Sequence, residues 1–156
     1  MIRHRTVPKP SRRGLATSSR IRWSTGNPSV VDTATFALHA NFRKALREFL
    51  RFSERAAREA GLTPMQHQLL LAIAGSREGW LSVGDIAREL MIQPHSAVGL
   101  VERAATRGLV QKEADPADHR RVRVRLQPRG KALIERLTRA HRRELRRLWD
   151  RIPGPR

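Results

Sequence analysis

The sequence predicts a mostly α-helical fold with a small β wing, and three observations carry that expectation. Beyond Asp32, apolar residues recur at three- and four-residue spacing over long stretches, the mark of helices with one buried face. Pro94 to Gly108 reads as a short helix, because Pro94 suits the first helical position and Gly108 supplies a stop. Val122-Arg123-Val124-Arg125-Leu126 alternates strictly, as a strand does, with three aliphatics inward and two arginines outward.

Residues 1–30 contain Arg, Ser, Pro and Gly without periodicity and carry no acidic side chain. They read as a disordered basic arm. Such an arm can track DNA phosphates or enter a minor groove; its composition equally suits a transit peptide or a segment without a role. Asp32 to Ala60 is a long helix with a stripe of Phe42, Leu46, Phe49, Leu50, Ser53, Ala57 and Ala60, ended by Gly61. Phe36 and Leu38 add apolar surface beyond what one small domain covers.

Thr63-Pro64 starts the next helix, with Thr63 as cap and Leu69, Leu70, Ile73 and Ala74 as its core face. Trp80-Leu81 suits a very short strand. Ser82 followed by Asp85 is an Asp version of the capping box, opening a helix that buries Val83, Ile86, Ala87 and Leu90. Ile92-Gln93 turns into Pro94, so two short helices meet as a helix-turn-helix. After Gly108, Leu109 to Ala114 is a strand and Asp115-Pro116-Ala117-Asp118 is turn chemistry. Pro128-Arg129-Gly130 opens the last helix, with Ile134, Leu137, His141, Leu145, Leu148 and Ile152 on one face and arginines opposite.

The 156 residues suffice for one domain. Hydrophobic residues make up 39% but aromatics only 4%, so the core must be Leu, Val, Ile and Ala. Thirty-two Lys plus Arg against fourteen Asp plus Glu give a formal charge of +18. That balance favours a polyanionic partner, nucleic acid before an anionic membrane. Lysine occurs only at Lys9, Lys44, Lys112 and Lys131; arginine, the remainder, suits bidentate phosphate and guanine contacts. With no cysteine, thiolate metal sites, cysteine nucleophiles and disulfides are excluded. No apolar run matches a membrane span and no signal-peptide core follows Met1, so a cytoplasmic protein is expected.

In the Pro94 helix, Ala97, Leu100, Val101 and Ala104 face inward, leaving His95, Ser96, Gly99 and Arg103 on the opposite side with no acid among them. A small polar helix face beside an arginine-rich hairpin suits duplex DNA, the helix in the major groove and the hairpin at phosphates and the minor groove. Gln93, His95, Ser96, Gly99 and Arg103 are therefore the expected contacts of the helix. Asp118, His119, Arg120, Arg121 and Arg123 are those of the hairpin. Arg123 and Arg125 are expected as phosphate contacts or solvated strand residues. His39, His67 and His141 fall on or near core faces, and their spacing matches no metal site, which favours satisfied, partly buried histidines. No Gly-rich phosphate loop, metalloprotease motif, nucleophile elbow or paired carboxylates occur, so no enzyme and no cofactor are expected.

Several segments together resemble the MarR family of winged-helix regulators. They are Leu62-Thr63-Pro64-Met65-Gln66, Asp85-Ile86-Ala87-Arg88-Glu89-Leu90, and Val101-Glu102-Arg103 leading to Arg107-Gly108-Leu109-Val110. The most specific is Asp115-Pro116-Ala117-Asp118-His119-Arg120-Arg121 before Val124-Arg125-Leu126. The likeness runs from about Asp32 to Trp149. It implies a homodimeric, sequence-specific transcriptional regulator, a repressor of palindromic operators, released by a small, often aromatic and acidic, effector ligand. It also implies Arg120 at the wing tip in the minor groove. His67 stands where the family has an aromatic or aliphatic residue, which makes it, with His39, the candidate effector-pocket lining. Four departures stand out: Gly99 where members place a side chain near the bases, His119 for the first wing arginine, Gln127 for the capping threonine, and an end before the further dimerisation helix.

The expected organisation is thus a disordered basic arm (1–30), a first dimerisation helix (31–62), a winged helix-turn-helix DNA-binding region (63–127), a C-terminal dimerisation helix (128–152) and a tail (153–156). Two other functions remain open to such a chain. One is sequence-independent nucleic-acid binding, as in a chromosome-structuring protein driven by charge; the other is a winged helix used as a protein-interaction module.

Overall fold

The computed structural model of the protein describes residues 31–116, 118 and 121–151. The expected basic arm, the C-terminal tail, Ile152, and His119 and Arg120 at the wing tip lie outside the described residues. Five helices and three strands follow in the order α1 (Thr33–Glu59), α2 (Pro64–Gly75), β1 (Trp80–Ser82), α3 (Val83–Glu89), α4 (Pro94–Thr106), β2 (Val110–Ala114), β3 (Val122–Leu126) and α5 (Pro128–Arg151).

Local chemistry sets the helix starts. Asp32 caps α1 by accepting from the Thr35 amide at 2.8 Å and the Thr35 hydroxyl at 2.7 Å. Thr63 and Gln66 form a reciprocal capping box on α2, each bond 3.1 Å. Ser82 and Asp85 form the expected second box on α3, at 3.1 and 3.2 Å. Gly61 (φ 75°) and Gly108 (φ 65°) end α1 and α4 in the left-handed region that glycine adopts without strain. Met91, in the turn between α3 and α4, takes φ 52° although it is not glycine, and its side chain is 92% exposed.

The sheet has the order β1-β3-β2, antiparallel throughout. Residues paired across β2 and β3 run from Val110↔Leu126 to Ala114↔Val122. The core sits where α2, α3, α4, the sheet and the first half of α5 meet, built from Leu69, Leu70, Ile73, Ile86, Val101, Leu109, Val110, Val124 and Ile134 among others. Gly130 in the first turn of α5 lies against the Leu109 backbone, so that a Cβ there would meet the Leu109 carbonyl oxygen at 2.1 Å. The same carbonyl accepts the Gln127 amide at 3.0 Å, while the Gln127 side chain donates to the Val110 carbonyl at 3.3 Å.

Two expectations need correction, at Ala74 and on β3, and one apolar surface stands open. Ala74 is exposed, and α2 instead buries Gln66 and His67 beside its leucines. Of the α1 stripe, Ala57 is buried, while Phe42, Leu46 and Leu50 stand exposed with Phe36, and none of the other described residues covers them. On β3 the inward–outward alternation fails at its start. Val122 is exposed and the Arg123 side chain is only 20% exposed, because the loop carboxylate of Asp115 and the ring of Trp80 on β1 draw it in.

Candidate nucleic-acid interface

α4 is held by its apolar face: Ala97, Leu100, Val101 and Ala104 are buried, and Gln93, His95, Ser96 and Arg103 are exposed. Gln93 occupies the cap position in extended backbone and makes no capping bond with its side chain. Gln93, His95 and Ser96 therefore stand at the outer, N-terminal end of α4 and Arg103 in its last turn, all exposed as a reader of base edges requires. Gly99 is half-buried, and its missing Cβ is replaced by a neighbour: a Cβ there would stand 3.1 Å from Arg103 Nη1. Val98 is also exposed on α4, an apolar contact suited to a thymine methyl group, and sequence reasoning passed over it. Glu102 is exposed but ion-paired, accepting from Lys112 Nζ of β2 at 2.6 Å. That pair ties the helix to the wing and neutralises the one carboxylate on α4.

The wing loop is closed by backbone bonds. The Asp115 amide donates to the Arg121 carbonyl at 3.0 Å, and the Arg121 amide to the Asp118 carbonyl at 2.8 Å. The organising carboxylate is Asp115, 3% exposed, which accepts from Arg123 Nη2 at 2.8 Å. The Arg123 guanidinium also lies 4.3 Å from the centre of the Trp80 ring, a cation–π contact. Arg123, expected as a phosphate contact or a solvated strand residue, is partly buried and held within the wing by Asp115 and Trp80. Asp118 is exposed. Arg121 is exposed and approaches Asp85 at 3.7 Å. Asp85 also accepts from Arg88; its bond from the Ser82 hydroxyl, more than the guanidinium, holds its carboxyl below the usual range. Arg125 pairs with Glu113 at 3.4 Å across the hairpin.

Of the histidines, His39 is exposed on α1 and stands apart, while His67 and His141 are buried together. Their ring centres are 4.9 Å apart, and Phe49 and Phe52 of α1 meet the His141 ring edge-on at 5.8 and 5.2 Å. His141 Nδ1 contacts the Leu137 carbonyl at 2.7 Å, which places its proton there. That leaves Nε2 buried, with no hydrogen-bond partner among the described residues. The expectation of satisfied histidines therefore fails at this atom. Burial, and secondarily the His141 ring, hold the His67 imidazole below its ordinary value. The cluster joins α1, α2 and α5, and nothing in residue spacing announces it. Among the described residues no three His, Asp or Glu converge on a metal position, and no helix is long and apolar enough to cross a membrane.

Comparison with known proteins agrees with this geometry. Residues 60–121, which hold α2 to the wing loop, match the model of the MarR family. The uncharacterized HTH-type transcriptional regulator YsmB of Bacillus subtilis (strain 168) is 25% identical over 118 residues, covering 71% of this chain and 77% of that protein. Among solved structures, AbsC, a MarR family transcriptional regulator from Streptomyces coelicolor, superposes with a TM-score of 0.65 at 19% identity, over 81% of this chain and 85% of that one. Bordetella bronchiseptica BpsR, whose DNA binding is regulated by 6-hydroxynicotinic acid, gives 0.57 at 25% identity, over 76% and 83%.

Proposed function

We propose that this chain, whose winged helix is of the MarR family, is a sequence-specific DNA-binding transcriptional regulator that acts as a homodimer on a palindromic operator. The observation that carries the reading is the face of α4, where Gln93, His95, Ser96 and Arg103 are exposed together and Glu102 is neutralised by Lys112. Such a face offers donors and acceptors to base edges without repelling phosphates. Arg120, Arg121 and His119 serve the wing, with Arg120 in the minor groove, where A·T tracts attract arginine.

The dimer follows from apolar surface that one chain leaves open: Phe36 at 63% and Trp149 at 65%, with Phe42, Leu46, Leu50 and Leu145. Leu148 is half-buried at a small cleft with Ala45 and Phe49 of α1, while Leu145 stands exposed. Two copies joined through α1 and α5 would present two α4 helices to successive major grooves. A small aromatic acid is the proposed effector, by likeness to BpsR, whose DNA binding a compound of that class regulates; repression is the sign proposed from the family resemblance.

The reading is tested by selecting binding sites from a random duplex library with the purified protein. A palindromic motif is expected, because half-sites mirror the two-fold axis. Ser96→Ala or His95→Ala should shift preference at one or two symmetric positions, by about 1–3 kcal/mol per lost base contact. Arg120→Ala should weaken all such variants alike. Recovery of no motif, with uniform affinity across duplexes, would favour the charge-driven reading.

A further inference from the structure

The second half of α5 carries a feature that the winged helix does not use. Arg139, Arg142, Arg143 and Arg146 line a shallow cleft of about 210 Å³, and among the described residues no other side chain lines it. They follow the spacing i, i+3, i+4, i+7, which stacks them on one face of a helix. Like charges so placed repel one another, yet none of the four is ion-paired among the described residues. The acidic side chain described in this half of the helix, Glu144, turns instead to Arg147 at 3.2 Å. Glu135, one turn before the cleft, pairs with none of them.

The cleft lies outside the winged helix and borders the apolar surface assigned to the dimer. In its first half α5 joins the core through Ile134 and Leu137. Its second half lies along α1, where Glu144, Arg147 and Leu148 meet Ala45, Glu48 and Phe49. On the helix, Arg143 lies about 160° around from Leu145 of the apolar face and Arg139 about 120° around, at 3.6 residues per turn. Arg146 lies about 100° from Leu145 and Arg142 about 60°, so the arginine face turns away from the apolar surface at Arg139 and Arg143 and borders it at Arg142 and Arg146.

We propose that the arginine face of α5 is a second polyanion site, which takes the phosphate backbone of a second DNA duplex while α4 and the wing hold the first. The proposal rests on the DNA-binding reading, which brings duplex to the protein. Duplex is favoured over a small anion because the cleft is open and lined only by guanidinium groups. It has no apolar wall or ring partner of the kind that encloses a small ligand. The array instead runs about 10 Å along the helix, and duplex carries one charge per roughly 1.7 Å of axis. Arginine is also the side chain whose fork matches phosphate oxygens in pairs.

The test uses the full chain in four forms: unaltered, the α4 pair Ser96→Ala with Arg103→Ala, the face set Arg139→Gln, Arg142→Gln, Arg143→Gln and Arg146→Gln, and the face set replaced by lysine. A duplex on beads is loaded with protein, and capture of a second, fluorescent duplex of unrelated sequence is measured against salt. Binding of each form to a single labelled duplex is titrated in parallel. The unaltered protein is expected to capture the second duplex, losing about 10² in capture affinity between 50 and 200 mM salt for four phosphates. The glutamine set should load on the first duplex within about twofold of the unaltered protein but lose second-duplex capture at least tenfold. The lysine set should keep capture, as a charge array requires.

Melting curves check that each form folds; all four arginines are exposed. If the α4 pair binds single duplex as the unaltered protein does, the winged-helix reading fails. The arginine face is then judged on single-duplex titrations, where the glutamine set should lower the salt slope by about 3.6. Unchanged capture and unchanged slope in the glutamine set would overturn the proposal, leaving any bridging to the two winged helices of a dimer. Capture of phosphatidylserine vesicles but not of duplex would overturn it too.

Discussion

The guanidinium of Arg103 folds back over Gly99, one turn earlier in α4, with Nη1 3.1 Å from where a Cβ would stand. The glycine is therefore a seat for the arginine, and it sets where on the α4 face the charge sits. Gly99→Ala is expected to displace the flexible end of Arg103 while raising helix stability by up to about 1 kcal/mol. Thermal unfolding should rise by roughly 2–4 °C, and preference should change at the base position facing Arg103. A melting temperature that falls would show that Arg103 cannot move aside.

Asp115 and Arg123 form the buried strut of the wing, at 2.8 Å. Removing one partner of such a pair costs about 3 kcal/mol or more when the other is left uncompensated. Asp115→Ala and Arg123→Ala should each destabilise by about that amount, and the double variant by much less than their sum. Denaturant titration of the four proteins gives the coupling. Additive losses would return Arg123 to the role of a phosphate contact.

Burial holds the His67 imidazole below its ordinary value of 6.5. A histidine so depressed binds fewer protons folded than unfolded near that pH, so stability is constant above about 6.5 and falls as pH drops below it. The cause is the charge that protonation would place beside His141 in an apolar setting. Melting temperatures recorded from neutral to mildly acid pH should decline for the unaltered protein. The decline should be shallower in His67→Gln.

Charge is expected to dominate affinity for DNA, given +18 over the whole chain. Raising salt from 50 to 200 mM should weaken binding by roughly 10³ or more if about six phosphates are contacted. A flat response would remove DNA from consideration as the partner.

Phe36 and Leu145 mark the open apolar surface on α1 and α5. Sedimentation should show a dimer at micromolar concentration, and Phe36→Glu or Leu145→Glu should weaken it. A monomer that keeps full affinity for the selected site would contradict the dimer.

Helix positions were legible because their signals are local. The capping pairs Thr63 with Gln66 and Ser82 with Asp85, Pro94 at the start of α4, and Gly108 after its end each act within a few residues. The buried face of α4 was legible for the same reason. What sequence could not show were contacts set by distant partners. His67 meets His141, 74 positions further along the chain, through tertiary packing rather than pattern. Strict alternation placed Arg123 outward, but β3 is the central strand, with Trp80 on one neighbour and a buried carboxylate at the loop. The stripe on α1 was legible as a shared face, but periodicity says nothing of which chain covers it.

The packing of Gly130 on the Leu109 carbonyl fixes the start of β2 to the first turn of α5 without an intervening side chain. No rotamer or flexible stem is available there to absorb movement. A tilt of α5 is accordingly delivered to the hairpin undiminished, like the handle of a lever moving its blade. Where two copies grip each other by α5, the angle of that grip dictates the distance between their hairpins, and so the length of DNA they can straddle.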